Sequence, residues 1–261
     1  MSMNQSVLIC DQVNPVLNEI LEKNGLQITY EPEITPEQIL EKIENFHIII
    51  VRSRTKITKD MIEKATKCQI IARVGVGLDN IDQAAAKEKN IRVINAVEGA
   101  MNAVAELVIG LMLSLAREIP RADREVRNGN WIKKELMGSE LRGKYLGIVG
   151  LGNIGKRLGR LARALNMNII GYDVVPIDEE FSSEVGLMKA DLGTLLSSSD
   201  YISLHVPLLD STKHLINAEK MSTMKNTSRI INTSRGGVID EEALYEFLKD
   251  GKLGGAALDV F

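Results

Sequence analysis

Gly150-Leu151-Gly152-Asn153-Ile154-Gly155 follows directly on the apolar run Tyr145 to Val149. Between a strand and a helix, the first glycine at this spacing makes a tight turn. The second lets backbone N–H groups approach a pyrophosphate, and the third lets the helix pack against the strand. The unpaired N–H groups and positive end of the helix then face the anion. A second apolar run, Asn168 to Tyr172, ends at Asp173, eighteen residues after Gly155. A carboxylate there accepts from the hydroxyls of an adenosine ribose and repels a 2′-phosphate. Val174-Val175-Pro176 offers no arginine to receive such a phosphate, so the expected ligand is NAD and not NADP. A bare glycine turn would carry little of this. Strand, helix, second strand and terminal Asp173 carry it together.

Other polar groups follow apolar runs in the same half of the chain: His205-Val206-Pro207, Asn232-Thr233-Ser234-Arg235-Gly236-Gly237, and Asp259. Arg235 stands between a strand end and a Gly-Gly turn, where its guanidinium can hold a carboxylate in a two-point fork. In the first hundred residues, Arg52-Ser53-Arg54-Thr55 and Arg73-Val74-Gly75-Val76-Gly77 also follow strand-like runs. Backbone N–H groups beside an arginine suit a carboxylate or phosphate, and two such ends point to an anionic substrate. An ordinary solvated loop has the same composition, and for Arg54 alone the loop reading is preferred.

The elements that must position these groups alternate. Strand-like runs at Val7 to Asp11, Leu26 to Tyr30, His47 to Val51, Gln69 to Val74 and Ile91 to Asn95 are separated by helical patterns: Val13 to Leu21, Thr35 to Ile43, Thr58 to Thr66 and Asn80 to Glu88. Such alternation predicts a parallel sheet covered by helices, in a domain ending near Val97-Glu98-Gly99. Apolar positions from Met101 to Arg117 predict a long helix in which Ala103, Ala105 and Gly110 permit close packing, and a second helix runs from Pro120 to about Asn128-Gly129. Strands are then expected at Tyr145 to Val149, Asn168 to Tyr172, Gly186 to Met188, Tyr201 to His205, Arg229 to Thr233 and Gly255 to Asp259. The expected fold class is α/β: a domain over residues 1–99, then a Rossmann-type domain over 100–261 with its ligands at the carboxyl ends of the strands.

Composition narrows the function classes. With 261 residues, 44% hydrophobic, the chain can bury two cores. A net charge of −3 gives no footprint for nucleic acid or a membrane surface. No leader is read at Met1 to Cys10, and no apolar run is read as approaching membrane-spanning length, so the expected location is the cytoplasm. Cys10 and Cys68 sit in apolar runs and are expected to be reduced core residues, with no metal site.

The segments VRSRTKIT, IARVGVGLDNID, GNWIKKELMGSELRGKYLGIVGLGNIG, HVPLLDSTKHLIN and INTSRGGVIDEEALYEFLKDGKLGGAALDVF resemble the D-isomer-specific 2-hydroxyacid dehydrogenases, most closely those that oxidise D-3-phosphoglycerate. The resemblance spans nearly the whole chain. It implies a flavodoxin-like substrate-binding first domain and an NAD-binding second one. It places Asn153 and Ile154 in the pyrophosphate loop, Asp173 on the ribose, and His205, Val206 and Pro207 on the adenine side. Thr233, Ser234 and Asp259 come near the nicotinamide, and Arg235 becomes the catalytic arginine. Arg52, Ser53, Arg73 and the Gly75-Val76 backbone correspond to substrate contacts, Val76 standing beside the cofactor as well where some relatives have threonine. Lys133 is implied to reach a phosphate from the neighbouring subunit of a homodimer. The family's proton-transfer glutamate and histidine would lie beyond Phe261, and His47, His205 and His214 do not match them. The resemblance therefore implies a C-terminally truncated piece of a longer enzyme, able to bind NAD but not to turn over. Reduction of glyoxylate or hydroxypyruvate, or an NAD-sensing, corepressor-like binding role, are the alternatives.

Overall fold

The structure is a computed structural model and describes residues 5–261; residues 1–4, part of the stretch read for a leader, lie outside the described residues. The chain divides into two compact units with the boundary between Ala100 and Met101.

The first unit runs β1 (Ser6–Ile9), α1 (Pro15–Lys23), β2 (Gln27–Tyr30), α2 (Pro36–Lys42), β3 (Ile48–Val51), α3 (Lys59–Lys64), β4 (Ile70–Arg73), α4 (Gln83–Glu88) and β5 (Arg92–Asn95). All pairings are parallel, in the order β2-β1-β3-β4-β5. That is the flavodoxin-like order. The period-two alternation of β1 assigns its faces. Leu8 joins Ile49 and Ile71 under α2, α3 and α4, while Val7 and Ile9 join Ile50 on the face covered by Leu17 and Leu21 of α1. Helix starts follow local chemistry. Thr35 and Gln38 form a reciprocal capping box with Pro36 in the first turn, and Asn14 accepts from the Val16 N–H ahead of α1.

Two expectations need correcting here. Val16 and Ile20 of α1 are half exposed, so only part of that apolar stripe is core. Helix α4 begins at Gln83, not Asn80, because the Asp82 carboxylate accepts from the Ala85 N–H at 2.9 Å and sets the cap. Asn80 instead turns its buried amide onto the carbonyls of Arg52, at 2.8 Å, and Thr55, at 2.6 Å.

The long helix α5 (Val97–Arg117) starts earlier than its Met101 expectation and is followed by α6 (Ile119–Arg127). Then come β6 (Tyr145–Val149), α7 (Asn153–Ala164), β7 (Asn168–Tyr172), α8 (Glu179–Val185), β8 (Met188–Lys189) and α9 (Leu192–Ser198). The chain closes with β9 (Tyr201–Leu204), α10 (Ala218–Ser222), β10 (Arg229–Asn232), α11 (Glu241–Lys249) and β11 (Gly255–Leu258). The parallel order β11-β10-β9-β6-β7-β8 is that of a Rossmann sheet, with the winding reversing between β6 and β9. Strand β8 is shorter and later than expected, because Gly186 at φ 63° ends α8 in the left-handed conformation.

Residues Gly99–Arg117 of α5 are long and apolar enough to cross a membrane by length and composition, which corrects the reading that no run approaches that length. Asn102 and Glu106 interrupt the run as a string without lowering its average enough. In this structure Ala105, Val108, Met112 and Ala116, spaced three to four apart, are buried with Leu146 and Ile148 of β6. Burial of side chains such as Val108 and Met112 contributes about 1.5–3 kcal/mol each. Ala103 and Gly110 are exposed and do not serve the close packing expected of them.

Every residue of β9 is buried, and just past it the His205 imidazole folds back so that its Nε2 lies 2.9 Å from Ser203 Oγ. Burial pushes this imidazole down from 6.5 to about 4. The ring is neutral when folded and takes up a proton more readily when unfolded. Its contribution to stability is therefore complete above pH 6.5 and is lost as pH falls from 6.5 towards 4. By that linkage the cost at pH 5 is about 2 kcal/mol. Urea titrations at pH 7 and pH 5 should show that difference, and His205→Gln should remove it; a pH dependence unchanged by the substitution would refute the assignment.

Candidate functional site

The glycine turn is shaped by backbone contacts that leave no room for side chains. Gly150 has φ +94°, and a Cβ there would lie 2.5 Å from the His205 carbonyl oxygen. A Cβ on Gly155 would lie 2.1 Å from the Gly150 carbonyl oxygen, so only glycine lets α7 start this close to the end of β6. At Gly152 nothing stands within 4 Å of a would-be Cβ, and no side chain caps α7. Its first-turn N–H groups are thus left for an anion. Asn153 is exposed and Ile154 half-buried at that end.

Asp173 leaves β7 beside this turn. Its Oδ2 accepts from the Leu151 N–H at 2.6 Å and its Oδ1 from the Val175 N–H at 3.1 Å, so the carboxylate is oriented by the backbone on both sides. A cleft of about 500 Å³ opens here, lined by Gly150, Gly152, Tyr172, Asp173, Val174 and the His205-Val206-Pro207 exit. Leu209, Thr212 and Leu215 complete its wall and were missed in the sequence. The Pro-x-x-x-x-Thr turn was the available signal: Thr212 Oγ1 donates to the Pro207 carbonyl and accepts from the Leu209 N–H at 2.8 Å, which folds that segment back. An open glycine, an uncapped helix start, an oriented carboxylate and apolar walls fit the pyrophosphate, ribose and adenine of NAD.

The same sheet edge holds the second group. Thr233, Ser234 and half-buried Arg235 leave β10, and Arg235 Nη1 donates to the Ser234 carbonyl at 2.6 Å. The Asp259 N–H donates to the Asn232 carbonyl at 2.9 Å, setting exposed Asp259 beside that loop. Thr233 Oγ1 is buried with no hydrogen-bond partner among the described residues. Gly236 packs against the Phe261 backbone, and Gly237 turns at φ +74°. The sheet thus gathers Gly150, Gly152, Gly155, Asp173, His205, Val206, Pro207, Thr233, Ser234, Arg235 and Asp259 at the carboxyl ends of its strands. Lys133 lies exposed between α6 and β6, outside the cleft lining.

In the first unit, Arg52 and Ser53 line a shallow depression of about 310 Å³ with Asp11, Gln12, Pro32, Glu33 and Arg54. Asp11, which the sequence gave no reason to single out, organises it. Its carboxylate, only 2% exposed, accepts from the Arg52 N–H and from Thr55 Oγ1 at 2.9 Å, and forms an ion pair with Arg54 Nε at 3.1 Å. Arg54 also donates to the carbonyls of Cys10, Pro32 and Ile34, so it is a clamp between loops. Arg73 is buried and directs its guanidinium to the carbonyls of Arg52, at 3.3 Å, and Gly77, with Asp79 at 3.5 Å. The Gly75 N–H donates to the Arg73 carbonyl at 3.0 Å, and the Val76 carbonyl accepts from the Asn95 side chain. Burial pushes the thiols of Cys10 and Cys68 up to about 12 and about 11, so both are unreactive.

Comparison with known proteins agrees with this geometry. Residues 109–261 match the model of the D-isomer specific 2-hydroxyacid dehydrogenase NAD binding domain. The chain is 46% identical to D-3-phosphoglycerate dehydrogenase of Methanocaldococcus jannaschii over 98% of its own length and 48% of the relative's. It is also 46% identical to hydroxypyruvate reductase of Thermotoga maritima, covering 93% of this chain and 78% of the relative. A glyoxylate reductase from Paecilomyes thermophila superposes with a TM-score of 0.91 at 30% identity, over 99% of this chain and 82% of that one. The chain spans about half the length of the phosphoglycerate dehydrogenases it matches. With its NAD cleft and its two parallel sheets, the chain belongs to the D-isomer-specific 2-hydroxyacid dehydrogenases.

Proposed function

We propose that the whole protein carrying this chain oxidises D-3-phosphoglycerate to 3-phosphohydroxypyruvate, the first step of the phosphorylated route to serine. The observation that carries the reading is one sheet edge holding both the nucleotide cleft ending at Asp173 and the loop of Arg235. NAD supplies the hydride acceptor when bound. Gly150, Gly152 and the first turn of α7 would hold the pyrophosphate, Asp173 the ribose, and Val206 and Pro207 the adenine. Arg235 would grip the substrate carboxylate and stabilise charge gathering on the C2 oxygen. Thr233, Ser234 and Asp259 would border the nicotinamide. Arg52, Ser53, Gly75 and Val76 would contact the substrate anion, with Lys133 of a second copy on the phosphate. None of the three histidines is assigned the hydroxyl proton: His205 is half-buried on the adenine side and neutral, His47 is hydrogen-bonded to Ser6, and His214 turns in a loop at φ 49°. The activity is therefore proposed for the whole protein.

Reduction of hydroxypyruvate or glyoxylate is the second reading, favoured by Arg73, whose guanidinium is directed at two carbonyls and Asp79 rather than into the depression. The deciding assay is NADH oxidation by the whole protein with phosphohydroxypyruvate, hydroxypyruvate and glyoxylate. A preference in kcat/KM for the phosphorylated acid of about 100-fold, or about 2.7 kcal/mol, is expected. Preference for the unphosphorylated acids would establish the second reading. NADH bound without turnover of any of them, together with a stoichiometric protein partner, would point to a binding role instead.

Asp173→Ala should lower the NAD-over-NADP preference by about tenfold or more in calorimetric titration, because the oriented carboxylate no longer repels a 2′-phosphate. Equal affinity of the unsubstituted protein for the two cofactors would remove the basis of that assignment.

A homodimer is proposed as well, supported by the nearly full exposure of Trp131, at 81%, and Met137, at 85%, near the amphipathic α6. Light scattering of the whole protein at micromolar concentration should give twice that protein's own single-chain mass, and a monomer would end the proposal.

A further inference from the structure

We infer that Asn232 is a positioning residue for Arg235, an inference that rests on the reading of Arg235 as the carboxylate-binding group. Asn232 closes β10 and is 1% exposed. Its backbone is held on both sides, in register with Leu204 of β9 and Leu258 of β11, and its carbonyl accepts from the Asp259 N–H. Its side chain does not point to a ligand or to another element. Oδ1 accepts from the Ser234 N–H at 3.0 Å and from Ser234 Oγ at 2.7 Å, and Nδ2 donates to the Arg235 carbonyl at 2.8 Å.

Those three bonds tie the groups on either side of the peptide between Ser234 and Arg235 to a rigid strand end. Arg235 Nη1 in turn donates to the Ser234 carbonyl, an oxygen of that same peptide. The guanidinium is thus located relative to a peptide unit that Asn232 holds. An amide is required for this, because it combines an acceptor and a donor on one planar group. Aspartate would keep the bonds to Ser234 but set a negative oxygen against the Arg235 carbonyl. Alanine would lose all three and leave buried polar groups unpaired. Since a misplacement of about 1 Å in a substrate clamp can cost about 100-fold in rate, such a brace acts on function through geometry.

The test is a double-substitution cycle on the whole protein: Asn232→Ala, Arg235→Lys and the pair. Each is assayed for reduction of the preferred 2-oxo acid, with NADH affinity measured by fluorescence. Asn232→Ala should lower kcat/KM about 100-fold, mainly through KM, with NADH affinity within about threefold of the parent. In the Arg235→Lys background it should cost no more than about threefold, because the group it positions is already gone. Asn232→Asp, which keeps the side-chain volume and one acceptor, should show the same rise in KM and serves if the alanine variant does not fold. Losses that multiply in the double variant, or NADH binding lost in step with turnover, would show a general structural role and overturn the inference. An active Asn232→Ala beside a crippled Arg235→Lys would overturn it alone, whereas a fully active Arg235→Lys would overturn the reading of Arg235 on which it stands.

Discussion

The contact on which the nucleotide site depends is between two pieces of backbone. A Cβ on Gly155 would sit 2.1 Å from the Gly150 carbonyl oxygen, and one on Gly150 would sit 2.5 Å from the carbonyl of His205. Neither neighbour can yield as a flexible side chain would. Helix α7 therefore starts in direct contact with the end of β6, and the β9 exit lies against the same turn. Everything else in the cleft follows from that closeness. The Leu151 N–H is brought within 2.6 Å of Asp173, so the carboxylate proposed to bind ribose is aligned by the turn that would hold the pyrophosphate. Two recognition elements from different strands are built as one rigid part.

The first unit solves a different problem with charge. Its strands end in loops that need an anchor, and the buried Asp11 carboxylate supplies one by gathering the Arg52 N–H, the Thr55 side chain and the Arg54 guanidinium. A buried carboxylate is tolerable only with such a full set of donors. Arg54, with 46% of its side chain exposed, keeps one side in water while it ties the loops after β1, β2 and β3 together. Arg73 plays a similar part under the β4 loop, buried and turned to main-chain carbonyls. Arginines that look alike as strand-end residues thus differ: Arg52 and Arg54 line the depression, Arg54 while also holding loops, and Arg73 holds a loop away from it.

The alternation of apolar runs made both sheets legible, because the strands are short, the central ones are buried, and each is flanked by residues that stop it. The glycine turn and Asp173 were legible for the same reason, being local in sequence and constrained by backbone sterics. The start of α4 was misplaced because Asp82 and Asn80 are both plausible caps, and only the tertiary call on the Asn80 amide by the Arg52 and Thr55 carbonyls separates them. Asp11 was invisible, since nothing in its neighbours shows that a loop forty residues away will fold its N–H groups onto it. No apolar run was read as approaching membrane-spanning length, although Gly99–Arg117 of α5 has the length and apolar average for one. The buried stripe Ala105, Val108, Met112 and Ala116 shows where that apolar surface goes here.

This contrast explains why cofactor and substrate differ in how far they can be argued. In a parallel sheet every strand delivers its loop to the same edge, and the reversal between β6 and β9 opens the crevice there. The groups proposed for the cofactor therefore come from five neighbouring strand ends of a single unit. Arg52 and Arg73, proposed to help choose among 2-hydroxy acids, are set instead by contacts distant in sequence. Arg73 shows the consequence, for its identity suits a phosphate while its hydrogen bonds serve a loop. On the proposed reading, substrate choice would depend on how many of these cations still have donors to offer, a quantity that residue type does not report and that kinetics with phosphorylated and unphosphorylated acids measures directly.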